Sequence, residues 1–227
     1  MKPIDTGLLA APVAGDSPGG PDLEYDQAFL ALEEAVRTEP EQQFGDTIVP
    51  AEEPDWDKVR DLAVSVLERS KDLRAAVYLL EALTQGNGLA GLGQGLALIR
   101  SLLERLWEPL HPQLDPDDGL DPTARVNLVA SVCDARLLKA VRTSPMLTVP
   151  GLGGISLRDL QIARGELPAP EGEEPLKLDS LDAAARDVEL PTLESTAALV
   201  SAAVEDTNAI ERTLTEKVGA SQAVSLS

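Results

Sequence analysis

Three glycines form the pattern in this chain that comes nearest to a cofactor site. Gly86, Gly88 and Gly91 have the G-x-G-x-x-G spacing of a dinucleotide-binding loop. That loop needs a strand before it and a helix after it, because its glycine turn must bring the pyrophosphate to a helix N-terminus. Residues 78–85 have a helical pattern instead. We therefore predict a turn between two helices at this point.

Three aspartates and a glycine within residues 115–119 resemble the start of a calcium loop. Counted from Asp115, an EF-hand needs glycine at position six and glutamate at position twelve, where this chain has Leu120 and Val126. The cluster is more typical of a turn, with Asp121 as the N-cap of the next helix and Pro122 in its first turn. A weak surface calcium site is the alternative.

His111 and Cys133 are the only histidine and the only cysteine. A multi-histidine metal site and an internal disulfide are therefore impossible within this sequence. His111 lies in a proline-rich loop, where we predict a hydrogen-bonded structural residue. Cys133 shares a helical stripe with valine and leucine, which predicts a small core residue. We expect no catalytic residue, no cofactor and no metal ion.

The charge of the chain restricts its partners. Asp and Glu number 39 against 19 Lys and Arg, which gives a net charge of -20, and aromatic residues make up 3%. Such a field repels phosphate backbones and anionic lipids, so we predict that nucleic acid is not a partner. The apolar run at residues 8–14 is short and contains Pro12, and no run is long enough to span a membrane. We predict a cytoplasmic chain without direct membrane insertion.

The pattern of apolar residues predicts an all-α fold. Prolines and glycines interrupt the first 25 residues, which indicates an extended N-terminal arm. Apolar residues at helical spacing then predict five helices, beginning near Tyr25, Pro54, Asp72, Leu92 and Asp121. Residues 38–54 are predicted to be a loop, and residues 146–157 a small β-hairpin. The expected architecture is an irregular multi-helix bundle.

The C-terminal third has a different organisation. Residues 168–175 read PAPEGEEP, so we divide the chain into a helical domain at 1–165, an acidic linker at 166–177 and a helical extension at 178–227. The extension either belongs to the same unit or begins a following region. Residues 191–218 predict a long amphipathic helix. Its apolar stripe packs back on residues 26–142 in one interpretation and serves a neighbouring domain or subunit in the other.

Several segments resemble the ImpA N-terminal domain of TssA proteins from bacterial type VI secretion systems. They are residues 9–26, 41–46, 54–56, 71–74, 106–115 and 121–127. The chain has Gly19-Gly20 where that family often has Cys-Gly. The resemblance implies a cytoplasmic assembly component that meets baseplate, sheath, tube or membrane-complex proteins. It also implies self-association through a further C-terminal region, which these 227 residues do not contain.

We therefore predict a non-enzymatic assembly protein of a type VI secretion system. The alternatives are a small cytoplasmic enzyme with an unrecognised site and a generic helical adaptor. The candidate protein-binding residues lie in the arm and in the loop before the second helix: Asp16, Asp22, Tyr25, Phe44, Asp46, Asp55 and Trp56. In the competing interpretation Tyr25 and Trp56 lie on inner helix faces, and the aspartates only cap turns.

Overall fold

The computed structural model describes residues 4–15, 17–38, 42–44, 47–49, 53–149, 151–170, 172 and 175–226, with backbone alone at 42–44, 47–49 and Ala184. The elements in these residues are α1 Thr6–Leu9, α2 Gln27–Ala35, β1 Gln42–Phe44, β2 Thr47–Val49, α3 Trp56–Arg69, α4 Leu73–Leu106, α5 Thr123–Ala130, α6 Ala135–Thr143, β3 Pro145–Val149, β4 Gly153–Ser156, α7 Leu157–Ala163, α8 Leu178–Arg186 and α9 Leu190–Val218. Helices dominate, as the sequence predicts.

Aspartates begin most of the core helices. The carboxylate of Asp55 accepts a hydrogen bond from the Lys58 N–H at 3.1 Å, and that of Asp72 accepts from the Arg74 N–H at 2.8 Å. Each bond satisfies a backbone donor that the first helical turn would leave unpaired. Before α5, Pro122 occupies the N-cap position itself, one residue later than predicted. Asp121 nevertheless accepts from the Thr123 N–H at 3.0 Å.

Helix α4 is folded into two limbs at Gly88, which has φ 56° and ψ −135°. A Cβ at Gly91 would lie 1.9 Å from the Leu83 carbonyl oxygen, and one at Gly95 would lie 2.7 Å from the Leu80 Cα. These contacts join the second limb, 89–106, to the first limb, 73–87, in antiparallel order. The predicted helix–helix turn is confirmed, and the glycines permit close packing of the two limbs.

The core surrounds α4, which packs against α3 on one side and α9 on another. Phe29, Leu80, Ile99 and Ile210 are fully buried. Helix α9 contacts this core mainly through its C-terminal half, where Ile210 and Leu214 are inaccessible to solvent. The long amphipathic helix therefore packs back on the bundle, although its N-terminal half is less covered.

Two separate hairpins accompany the helices. Strands β3 and β4 pair antiparallel with Leu147 opposite Ile155, where the sequence predicts a hairpin. Strands β1 and β2 also pair antiparallel, with Gln43 opposite Ile48, inside the segment predicted to be a loop. The loop prediction was wrong there because prolines and acidic residues flank a β-branched run, Thr47–Val49, that favours a strand.

The structure corrects two predicted burial patterns. Helix α2 begins at Gln27 rather than near Tyr25, so Tyr25 precedes the N-cap and its side chain is 88% exposed. Cys133 is exposed, whereas the neighbouring Val132 is buried. The reason is a 3-10 turn at Ser131–Cys133, which interrupts the predicted single helix and rotates the stripe by one residue.

Candidate docking surface and the contacts that fix the N-terminal arm

The N-terminal arm is fixed to the bundle at a pair of glycines. The Gly19 carbonyl accepts a hydrogen bond from the Lys71 N–H at 2.7 Å, and the Gly20 carbonyl lies 3.1 Å from the His111 Nε2. A Cβ at Gly19 would lie 1.9 Å from the Pro109 carbonyl oxygen. The arm can approach the loop after α4 this closely only because position 19 has no side chain.

His111 is the centre of this junction. Its backbone N–H donates to the Lys71 carbonyl at 2.8 Å, and its own carbonyl accepts from the Leu73 N–H at 2.8 Å. The side chain is 2% exposed. His111 therefore joins the arm, the start of α4 and the loop after α4, and the prediction of a hydrogen-bonded loop residue is confirmed.

Ion pairs surround the junction. Arg69 donates to the carboxylate of Asp26, with an Nη2–Oδ2 distance of 2.6 Å. This hydrogen bond, followed by one from the Ala28 N–H, holds the pKa of Asp26 below its ordinary value. Arg74 lies 2.7 Å from Asp72, and its guanidinium carbon is 4.3 Å from the centre of the Phe29 ring. These pairs link the arm and α2 to α3 and α4.

A buried arginine fixes the loop that follows α4. Arg125 is inaccessible to solvent and donates to the carbonyls of Trp107 and Leu110, both at 2.5 Å, and of Pro112 at 2.8 Å. Its guanidinium carbon lies 4.8 Å from the centre of a Trp107 ring. Burial lowers the pKa of Arg125 to about 10, against an opposing effect of Glu108, so the group is charged at neutral pH. We call the contacts around His111 and Arg125, with their flanking ion pairs, the clamp.

Most of the predicted binding residues within the described part of the chain have structural contacts. Asp55 caps α3, and the Asp22 carboxylate accepts from the Glu24 N–H at 3.0 Å while staying exposed. Trp56 is partly buried, and the Arg136 guanidinium lies 5.2 Å from a ring centre. Asp16 and Asp46 lie outside the described residues, as does the side chain of Phe44.

Tyr25 is the exposed aromatic side chain among the described candidates, since it is 88% exposed whereas Trp56 is partly buried. It occupies the position before the N-cap of α2, and Leu30 occupies the fourth helical position, where it is 49% exposed. Residues at these two positions face the same side of a helix start. Leu30 is not among the residues selected from the sequence, although its spacing from Tyr25 is the one expected of two residues that meet at a helix start. We call Tyr25 and Leu30 the α2 patch.

Comparisons with known proteins agree with this architecture. A family model described as ImpA, N-terminal, type VI secretion system, matches residues 10–134, which is more than half of the chain. The type VI secretion system component TssA1 of Pseudomonas aeruginosa is 39% identical over 223 residues. The chain belongs to the TssA family. The match covers 98% of the chain but 64% of TssA1, so this TssA chain spans less than two thirds of that relative's length.

A solved TssA structure has the same fold. It is the N-terminal domain of the TssA component from Burkholderia cenocepacia, including the conserved ImpA N-terminal region. The alignment has a TM-score of 0.77 and 28% sequence identity, and it covers 100% of this chain and 88% of that one. Both this alignment and the family-model match cover the part of this chain that contains His111 and Arg125. None of the helices among the described residues is long and apolar enough to cross a membrane.

Proposed function

We propose that this TssA chain is a non-enzymatic assembly component that binds other proteins of the type VI secretion system in the cytoplasm. Baseplate, sheath or tube, and membrane-complex proteins are the classes of partner that the family suggests. Self-association belongs, in this proposal, to a further region of the family that lies outside these 227 residues. Residues 1–165 form the main binding unit, and 178–227 extend the same unit, as the packing of α9 on α4 suggests.

The observation that supports an assembly role is a contrast between buried polar residues that bond within the chain and an exposed aromatic side chain. His111 and Arg125, whose side chains could suggest catalysis, are buried, and the His111 Nε2 and the Arg125 guanidinium bond to backbone groups of the same chain. Tyr25 is the reverse case, a large aromatic side chain that makes little contact with its own fold. Exposed aromatic residues of this type are enriched at the energetic centres of protein interfaces. The α2 patch is therefore our first docking site.

The experiment is to replace Tyr25 with alanine and compare partner capture with thermal stability. We expect loss of capture of one class of secretion protein and a melting temperature close to that of the wild type, because the side chain is 88% exposed. Tyr25→Phe should retain most binding if the ring is the anchor. Leu190→Ala removes another exposed apolar side chain, 65% exposed on α9, and is the matched control.

Two other substitutions separate docking from folding. Asp22→Ala removes an exposed carboxylate that also accepts one backbone hydrogen bond, so lost capture with unchanged melting would add it to the docking surface. Asp55→Ala should lower stability by about 1 kcal/mol through loss of the α3 cap, with capture following the folded fraction. Full capture by Tyr25→Ala of every secretion protein that the wild type captures would refute the assignment of the α2 patch.

A further inference from the structure

The structure has an apolar groove that shares no lining residue with the α2 patch. Its volume is about 580 Å³, and it is framed by the second limb of α4, by α6 and by α9. Leu92, Leu96 and Val141 lie along it. Its lining residues include no charged side chain. The groove is separate from the clamp, and none of the roles assigned above uses it.

Part of the apolar face of α9 is not covered by other elements where it borders the groove. Val200 and Val204 are one helical turn apart, line the groove, and are 42% and 55% exposed. Leu138 lines it from α6 and is 41% exposed. Apolar side chains at i and i+4 facing an open groove lack the partner that Ile210 and Leu214 find on α4. A groove between three helices can bind a fourth helix that has an apolar face.

The charge beside the groove identifies the kind of helix. Leu138 also lines an adjoining cleft of about 360 Å³ that contains Lys139, Arg142 and Arg158. Within the described residues Arg142 and Arg158 have no ion pair, and Lys139 has one at 3.8 Å to Glu53, with both side chains exposed. Most of the other arginines are paired with carboxylates of the described residues. Two arginines without such a pair, beside a lysine with a long exposed one, therefore mark this cleft as attractive to a partner's acidic residues.

We propose that the groove between α4, α6 and α9 binds an amphipathic helix of another protein. Its apolar face contacts Leu138, Val200 and Val204, and acidic residues along one edge meet Arg142 and Arg158. This site is independent of the α2 patch, and its binding chemistry does not depend on which secretion protein binds the α2 patch. The net charge of -20 disfavours a second copy of the chain as the occupant.

The probe is a helix-stabilised, fluorescein-labelled peptide with leucines at i, i+4 and i+7 and glutamates along one edge. Binding is followed by fluorescence anisotropy. We expect saturable binding, no comparable binding of the same peptide with lysines in place of the glutamates, and weakening by added salt. The chain's single cysteine supplies a second readout, because Cys133 lines the groove and is exposed. Bound peptide should slow the reaction of this thiol with a disulfide reagent.

Substitutions distinguish the two halves of the site. Val204→Asp should abolish binding while leaving the fold intact, because the valine is more than half exposed. Arg142→Gln with Arg158→Gln should raise the Kd about ten-fold and reduce the salt dependence, since each exposed ion pair contributes modestly. Arg186→Gln, at an exposed arginine near the end of α8, is the matched control and should have no effect.

Three results would overturn the proposal. The first is the absence of saturable binding up to millimolar peptide, or equal binding of the lysine peptide. The second is a dimer in light scattering that Val204→Asp dissociates, which would assign the groove to a second copy. The third is peptide binding that appears only after Glu171, Glu173 and Glu174 are changed to glutamine, which would assign the cleft to the chain's own acidic linker.

Discussion

Replacing Arg125 with methionine tests whether the clamp holds the end of α4. The guanidinium donates to three backbone carbonyls, of Trp107, Leu110 and Pro112, and is inaccessible to solvent. Trp107 is the C-cap of α4, so part of this bonding satisfies carbonyls that a helix end leaves free. Methionine keeps an unbranched apolar side chain against the Trp107 ring but cannot donate a hydrogen bond.

The expected loss follows from what remains buried after the substitution. Each carbonyl left without a donor costs about 1–3 kcal/mol, and relief from burying a charge offsets part of this sum. We expect the free energy of unfolding to fall by about 3–5 kcal/mol. For a chain of this size the melting temperature should fall by roughly 6–20 °C. Arg125→Lys keeps the charge without the planar array of donors, so its free energy of unfolding should lie between those of the wild type and Arg125→Met.

Urea unfolding followed by circular dichroism at 222 nm measures the effect. Arg212→Met, at an exposed arginine on α9, is the matched control and should change the free energy of unfolding by less than about 0.5 kcal/mol. The slope against urea should be unchanged, because the same surface is exposed on unfolding. If Arg125→Met unfolds within about 1 kcal/mol of the wild type, the clamp does not stabilise the fold as argued.

Two further predictions concern the interior of α4. Gly91→Ala should destabilise the fold by about 1–3 kcal/mol or more, because its Cβ would lie 1.9 Å from the Leu83 carbonyl oxygen. Gly93→Ala is the control in the same thermal melts. Its Cβ has open space, so this substitution should be neutral or stabilising by up to about 1 kcal/mol. Burial raises the pKa of Glu81, with Arg136 opposing it, so the Glu81 carboxyl binds more protons in the folded chain than in the unfolded chain between pH 4.5 and its folded pKa. The contribution of Glu81 to stability should therefore fall as pH rises through that window, and the difference between the urea midpoints of the wild type and Glu81→Gln should change with pH accordingly.

Features encoded by neighbouring residues could be predicted from the sequence. The helix starts near Pro54 and Asp72 could be predicted because a cap and the N–H that it satisfies lie two or three residues apart. The turn at Gly88 followed from glycines between two helical patterns. The hairpin at β3 and β4 followed from apolar runs around a glycine turn. In each case the deciding interaction is local.

Features decided by distant contacts or by single-residue boundaries could not be predicted. Asp26 and Arg69 are 43 residues apart, and Gly20 and His111 are 91 apart, so no local pattern pairs them. The start of α2 at Gln27 rather than two residues earlier reverses the exposure of Tyr25. The 3-10 turn that exposes Cys133 has the same kind of effect. A helix boundary is the least certain part of a sequence-based prediction, and here two boundaries decide which side chains are accessible.

The clamp also explains why the family could be recognised while the binding residues stayed uncertain. Lys71, Asp72 and Arg74 lie in one segment that carries the resemblance, His111 lies in another and Arg125 in a third, and all of them bond within the fold. A resemblance carried by such residues predicts an architecture rather than a partner. Partner choice must then depend on side chains that the clamp does not use. The α2 patch and the basic cleft beside the α9 groove are two such surfaces, so we expect substitutions there to change which proteins bind, and substitutions in the clamp to change how much folded protein is present.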